Sequence, residues 1–337
     1  MKAFTPNWTY NPFSHIYVEE DAFSHPAVRQ ILDRFPDAVT VPIHRYTDIL
    51  NRPRQDYQHQ KKALQLILAL ERDRFLYKGP AICQDYGHPN FYYASSALNC
   101  IYDCHYCFLQ GMYSSAHLVV FVNLEDFFRE VDKSLQEGPV YLCTSYDSDL
   151  LALERLIPHA SAWIHYARER KDLLMEIRTK SSAFDAIRSI PPVPNVLLAW
   201  TLSPDPVIEA YEKKTPSLSR RLDAIRKALD AGWPVRICLE PILRIPNWQE
   251  VYSAFWEKIL DQLPISRIVD INIGMLRMNR DYFKKIQKGR LDNDLFTYPM
   301  EANKNVMSYP AAQEEEMKGF LLEKIAAHYP KERIYIS

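Results

Sequence analysis

From about residue 90 onward, short apolar runs alternate with helical stretches, and that alternation restricts the fold more than any other feature of the chain. The runs Phe91–Leu98, Val140–Thr144, Leu174–Thr179, Val196–Leu202, Val235–Leu239 and Ile268–Ile273 are each nearly continuous in apolar residues. Runs of this kind read as strands buried on both faces. The helices between them have legible ends. Asn123 is placed to N-cap Leu124–Glu137, with Gly138 just past its end. Thr215-Pro216 reads as an N-cap followed by proline at the first helical position, and Gly232-Trp233-Pro234 stops that helix. Repeated strand–helix alternation implies a parallel sheet with right-handed crossovers. A chain of 337 residues is too short for a complete eight-fold barrel beside an N-terminal region. The expected class is α/β, a partial (β/α)6 barrel of TIM type.

Around that barrel the chain divides into three. Residues 1–85 read as an irregular, aromatic and proline-containing cap that leads into a helix near Gln60–Arg74. Residues 86–280 form the barrel, and 281–337 a C-terminal α/β extension in contact with substrate. A hydrophobic content of 47% is enough for one full core and part of another. No apolar run reaches the roughly 18 residues of a membrane span. The start, Met-Lys-Ala-Phe-Thr-Pro-Asn-Trp, has no apolar signal region, so a reduced, cytoplasmic location without membrane partners is expected. The net charge of −1 supplies no global pull towards nucleic acid. With only eight glycines, the chain has neither G-x-G-x-x-G nor a Walker A loop. Dinucleotide binding of the Rossmann kind and P-loop nucleotide hydrolysis are thereby excluded.

The chemistry is announced by Cys100, Cys104 and Cys107, a C-x3-C-x2-C run on one loop. Iron–sulfur clusters are normally held by four thiolates, so three leave one iron open, and an open metal position is where chemistry happens. A zinc site completed by His105 or His88 is the plainer reading, but zinc knuckles usually come in pairs and only one C-x2-C is present. A disulfide framework does not suit six cysteines in a chain of this length. The spacing resembles that of the radical S-adenosylmethionine (SAM) enzymes. The resemblance implies a [4Fe–4S] cluster whose open iron is chelated by the amino and carboxylate groups of SAM. An electron then cleaves the sulfonium to a 5′-deoxyadenosyl radical. The Gly-Gly-Glu-Pro type element of many such enzymes is absent.

In barrels of this type the site lies at the carboxyl ends of the strands. Just past each expected strand stand the cysteine triad, then Cys143-Thr144-Ser145, Lys180, Ser203 with Asp205, Glu240 and Arg277. Their recurrence at successive strand ends points to convergence on one site.

Several elements together resemble the spore photoproduct lyase family, over roughly residues 90–337. They are Cys-x3-Cys-x2-Cys-Phe-Leu-Gln, Cys143-Thr-Ser with a following aspartate, Arg178-Thr-Lys180, Asp205 through Thr215-Pro-Ser, and Ala231-Gly-Trp-Pro leading to Glu240-Pro-Ile. The resemblance implies repair of a UV-induced thymine photoproduct in DNA. The deoxyadenosyl radical takes a hydrogen atom from the dimer, the methylene bridge fragments, and a thiol quenches the product radical. A lone cysteine on a strand ordinarily reads as packing; the matched element makes Cys143 the thiol donor. By the same resemblance, Tyr106 matches a tyrosine of the radical-return path, and Ser145, Lys180 and Thr201 or Ser203 match SAM contacts. Glu240 stands beside the same SAM pocket, where the family has alanine. Asp147 and Asp149 compete for the family's acidic position. Cys83 and Cys238 match nothing and read as structural. An electron donor such as ferredoxin or flavodoxin is implied.

The departures shape the expectation too. Phe108 stands where the family has a second tyrosine, and the stretch 299–309, matching a hairpin rich in Arg and Tyr, is nearly without basic residues. A basic cluster of Arg277, Arg280, Lys284, Lys285, Lys288 and Arg290 is open to two readings, phosphate contacts or a solvated helix face. Two alternatives stay open: a paralogue with another substrate, and a non-catalytic zinc module that binds nucleic acid.

Overall fold

The computed structural model describes residues 13–80, 82–290 and 293–337. The opening residues, read above for a signal region, lie outside this set. The irregular cap expected over residues 1–85 is instead a sheet. The strands Val39–Ile43, His15–Glu19, Leu66–Ala69 and Leu118–Phe121 lie side by side in parallel, and Ala97–Leu98 pairs antiparallel at the edge. Two of its strands come from chain around and beyond the cysteine loop.

The helix expected near Gln60–Arg74 is corrected as well. It is a short helix, Tyr57–Lys62, capped by Asp56, whose carboxylate accepts from the His59 amide at 2.9 Å. Strand Leu66–Ala69 follows. Leu66, Ile67, Leu68 and Ala69 are all buried, because the strand is flanked on both sides. Continuous burial and one-sided helical burial produce similar apolar runs, and here only the neighbours decide.

The second sheet runs Ile334–Ile336, Asp270–Met275, Val235–Ile242, Val196–Thr201, Leu173–Thr179, Val140–Cys143, Phe91–Tyr93 and Tyr77–Lys78. All neighbours are parallel except the last pair. From Phe91–Tyr93 to Asp270–Met275 the strands stand in chain order, the curled half-barrel of a (β/α)6 fold. Helices such as Leu124–Glu137, His159–Arg168, Leu218–Asp230 and Trp248–Gln262 make the crossovers. No helix among the described residues is long and apolar enough to cross a membrane.

The expected strand Phe91–Leu98 is two strands. Phe91–Tyr93 joins the barrel and Ala97–Leu98 joins the first sheet, so the chain passes from one sheet to the other just before Cys100. The triad therefore sits at the junction of the sheets. Two capping expectations also change. Asn123 is tied to the Glu71 backbone through both ends of its amide (3.0 and 2.9 Å), with no cap bond to its helix. The helix after Pro216 starts at Leu218, and the Thr215 hydroxyl donates to the Glu212 carbonyl at 2.8 Å. Gly232, at φ +86°, ends that helix as expected of a glycine beyond a C-cap.

Candidate active site

The cysteine loop is clamped from several directions. Lys61, buried, donates its ammonium to the carbonyl oxygens of Cys100 and Tyr102. Gln110 Nε2 donates to the Cys104 carbonyl at 2.8 Å, and Asp103–Cys104 pairs antiparallel with Glu212–Lys213. Arg290, also buried, braces the loop from outside through Gln110 and Asp103. The loop's short helix Leu109–Met112 packs against helix Arg280–Gly289 so closely that a Cβ on Gly111 would lie 2.5 Å from the Tyr282 Cα.

Cys100, Cys104 and Cys107 line one wall of a cavity of about 620 Å³. Around it stand Cys143, Ser145, Lys180, Thr201 and Glu240 from successive strand ends, with Tyr106 from the cysteine loop itself. The expected convergence at the carboxyl edge thus holds for most positions. Ser203 and Asp205 are exceptions. Ser203 is buried behind the wall, where its hydroxyl donates to Glu212 at 2.8 Å, and Asp205 pairs with Lys258 at 2.6 Å. Of the two aspartates, Asp149 lines the cavity. It holds the Lys180 amide at 2.8 Å and the Thr179 hydroxyl at 2.7 Å. Asp147 turns away to Ser95, and burial pushes its carboxyl up to about 6.

Tyr106 donates its hydroxyl to Glu212, whose other oxygen accepts from the fully buried Arg221. Burial alone would raise the Glu212 carboxyl; the guanidinium, with Lys180, outweighs it and holds the group down at about 2. The Lys180 ammonium lies 5.5 Å from the centre of the Tyr106 ring. Cys143 ends its strand beneath the cavity, and burial pushes its thiol up to about 12.

Glu240 is not a loose charge. Arg178 and Arg277 each reach it at 3.1 Å, and Asn272 Nδ2 at 3.0 Å. Arg178 also pairs with Glu176 at 2.9 Å, and Glu176 with Arg236, which holds Asp270 at 2.9 Å. Alternating charges along this ladder cancel, so Glu240 brings no net charge to the wall. Gly274 makes room for it, since a Cβ there would meet Glu240 Oε1 at 2.7 Å.

The basic cluster divides. Arg277 and Arg290 are spent on Glu240 and Asp103, while Arg280, Lys284, Lys285 and Lys288 are exposed on helix Arg280–Gly289. The stretch 299–309 contains a hairpin, Glu301–Asn303 and Val306–Ser308, that pairs with Arg277–Asn279 and brings Asn305 and Val306 to the cavity. Cys238 is buried within its strand, as expected. Cys83, read from the sequence as structural, lines the cavity and donates to the Tyr146 hydroxyl oxygen at 3.8 Å. Lys61, Glu212 and Arg221 escaped sequence reading. Lys61 and Arg221 sit on helices and Glu212 on a two-residue strand, in segments whose charges look solvent-facing until the fold buries them.

The donor set suits a cluster better than a single ion. Among the described residues, no group of three or more His, Cys, Asp and Glu side chains is gathered tightly enough for one metal ion. The three thiols of the triad line one cavity wall, and three thiolates are one short of the usual four of a cluster, leaving one position open.

A family model described as spore photoproduct lyase matches residues 10–336. Relatives include the spore photoproduct lyase of Bacillus subtilis (strain 168), 24% identical over 279 residues and covering 79% of each chain. That of Geobacillus sp. (strain Y412MC61) is 23% identical over 292 residues, covering 82% of this chain and 80% of its own. Among solved structures, spore photoproduct lyase complexed with dinucleoside spore photoproduct superposes with a TM-score of 0.79 at 20% identity, over 96% of this chain and 98% of that one. A substituted variant with bound AdoMet and the same dinucleoside gives the same TM-score, identity and coverage. With the family's pattern running through nearly the whole length, and its fold reproduced around a cavity that gathers the cysteine triad, this chain belongs to the spore photoproduct lyase family.

Proposed function

We propose that this chain is a radical SAM lyase that repairs a UV-induced thymine photoproduct in DNA. One observation carries the reading: a single cavity is lined at once by the triad, by Lys180 and by Cys143. A [4Fe–4S] cluster on Cys100, Cys104 and Cys107 would supply one electron to SAM, whose deoxyadenosyl radical takes a hydrogen atom from the substrate. Lys180 offers an ammonium to the SAM carboxylate, its backbone held in place by the hydrogen bond its amide N–H donates to Asp149. Ser145 and Thr201 line the same cavity as polar contacts for SAM, and Glu240 acts through the arginines it orders.

Cys143 finishes the reaction. The product carbon radical breaks the S–H bond and gains C–H, leaving a thiyl on Cys143. That role needs a thiol and not a thiolate, and burial keeps the proton on the sulfur at neutral pH. Tyr106 is suited to radical return, because Glu212 is an ionised acceptor for its phenolic proton. Duplex DNA would lie across the hairpin and helix Arg280–Gly289, whose exposed cations meet phosphates. A ferredoxin or flavodoxin would deliver the electron, in a reducing cytoplasmic setting suited to cysteines that form no disulfide.

A second reading, a paralogue acting on another substrate, is favoured by the hairpin, which offers Asn305 and Val306 to the cavity where the family's hairpin is rich in Arg and Tyr. The test is anaerobic turnover of reconstituted protein with SAM, a reductant and a dinucleotide photoproduct. Repaired dinucleotide supports the first reading. Deoxyadenosine without repair transfers support to the second.

A further inference from the structure

The cysteine loop has an outer face as well as the one turned to the cavity. Asp103–Cys104 pairs antiparallel with Glu212–Lys213, which sets Lys213 opposite Asp103 and Glu212 opposite Cys104. The His105 amide extends that pairing to the Tyr211 carbonyl at 2.7 Å. Lys214 follows in a left-handed turn (φ +66°), a conformation that favours glycine, yet a lysine stands there. Its ammonium crosses to the carbonyl of Lys61, the residue that clamps Cys100 and Tyr102. Next along that helix comes Lys62. Lys62 and Lys213 are exposed, Lys214 is half-buried, and none of the three lines the cavity. The acids beside them are already paired, Asp103 with Arg290 and Glu212 with Arg221. The Lys213 ammonium is anchored to a neutral group, the Glu209 carbonyl. Three cations whose charge is not cancelled by an ion pair among the described residues therefore back onto the cysteine loop.

We propose that Lys62, Lys213 and Lys214 form the docking face for an acidic one-electron carrier protein that reduces the cluster. This deepens the lyase reading and rests on it. The step is a bare electron transfer: the reduced carrier loses one electron, the oxidised cluster gains it, and no bond is made or broken. Two requirements select this face. Electron transfer between proteins weakens steeply with distance, so the carrier must dock close to a cluster ligand. Lys213 lies on the strand paired with the one that carries Cys104. A cationic patch also steers an acidic partner towards itself and fixes its orientation on arrival. Duplex DNA is the competing polyanion, because Gln58 on the same helix donates to the Gly289 carbonyl at 2.6 Å and joins this face to the end of helix Arg280–Gly289. DNA, however, must present its lesion to the cavity, and none of these lysines borders it. Reduction from outside leaves the cavity free for SAM and substrate.

The experiment measures binding first and reduction second. Cluster-loaded wild type and the double variant Lys62→Glu with Lys213→Glu are titrated anaerobically with an acidic flavodoxin, and separately with an acidic ferredoxin, over a range of salt. Reduction of the cluster by each reduced carrier is followed by electron paramagnetic resonance, with dithionite as the small reductant in parallel. Both positions are exposed, so iron content, melting temperature and dithionite-driven SAM cleavage should stay at wild-type values. A several-fold loss of carrier affinity and of carrier-driven reduction, with a shallower salt dependence, supports the docking face. The milder pair Lys62→Gln with Lys213→Gln should fall between, and it decides alone if charge reversal disturbs folding. Unchanged carrier binding in the variants, or binding of neither carrier by the wild type, overturns the docking face while dithionite-driven SAM cleavage leaves the lyase reading standing. Weakened duplex binding with carrier-driven reduction intact overturns it too and gives these lysines to DNA. A wild type that cleaves no SAM even with dithionite overturns the lyase reading itself.

Discussion

Lys61 and Tyr102 are joined by a hydrogen bond of 2.7 Å from the buried ammonium to the backbone carbonyl, and the same ammonium reaches Cys100. The N-terminal helix Tyr57–Lys62 thereby holds the cysteine loop in shape from across the sheet junction. Lys61→Met keeps the aliphatic stem and leaves both carbonyls without a donor, at about 1–3 kcal/mol for each buried group left unsatisfied. Reconstituted iron and sulfide per chain should fall, while the folded barrel remains visible by circular dichroism.

Cys143 is expected to act as a neutral thiol over an unusually wide pH range. An ordinary thiol ionises near pH 8.5, whereas burial moves this one to about 12. The yield of correctly quenched product should therefore be flat between about pH 7 and 10. A decline centred near the ordinary thiol value would contradict the assignment. Cys143→Ala should still cleave SAM but divert the product radical to adducts, which chromatography resolves.

The Glu212–Arg221 pair makes an acid-side prediction, and Glu176 beside Arg236 and Arg178 makes the same one. Both carboxyls are held near 2, below their unfolded value of about 4.3. A depressed carboxyl contributes stability that is present above the unfolded value and lost as pH falls through the folded one. Melting temperature should drop steeply between about pH 4 and 2. Arg221→Met leaves Glu212 charged and buried without its partner, a loss of about 3–5 kcal/mol measurable by denaturant titration at neutral pH.

Asp147 has the opposite sign. Its carboxyl is raised to about 6 by burial, and its Oδ1 has no hydrogen-bond partner among the described residues. The folded state binds that proton more tightly than the unfolded chain, so stability is lost as pH rises from about 4 to 6 and stays lost above. Asp147→Asn removes the buried charge and should stabilise the protein at pH 8 by on the order of 1–3 kcal/mol, with little gain below about pH 4.

If helix Arg280–Gly289 meets phosphates, the pair Lys284→Ala and Lys288→Ala should lower the salt dependence of duplex binding by about 0.9 in log–log slope per lost contact. Repair of a free dinucleotide should be unchanged, because neither lysine lines the cavity. An unaltered slope would return this face to the status of a solvated helix.

Legibility in the sequence followed the range of the forces involved. The triad is written in eight consecutive residues, Cys100 to Cys107, and its spacing alone brings three thiols onto one loop. The barrel strands were legible because burial on both faces makes each run apolar whatever its partners. The first sheet was not, since Leu66–Ala69 is apolar enough for either a helix or a strand, and its pairing with His15–Glu19 and Leu118–Phe121 decides.

By itself, then, the sequence determined the barrel class, the spacing that gathers three thiols on one loop and the strand ends where polar side chains collect, all properties of local spacing and periodicity. Tertiary structure decided which residues at those ends face the cavity: Thr201 and not Ser203, and Asp149 and not Asp147. It also turned Glu240 from a lone charge into one link of a neutralised ladder. The reason is physical. A side chain's facing depends on where its strand stops and on which distant charge pairs with its neighbours, and Glu212 with Arg221 or Glu240 with Arg277 meet only when the chain has folded.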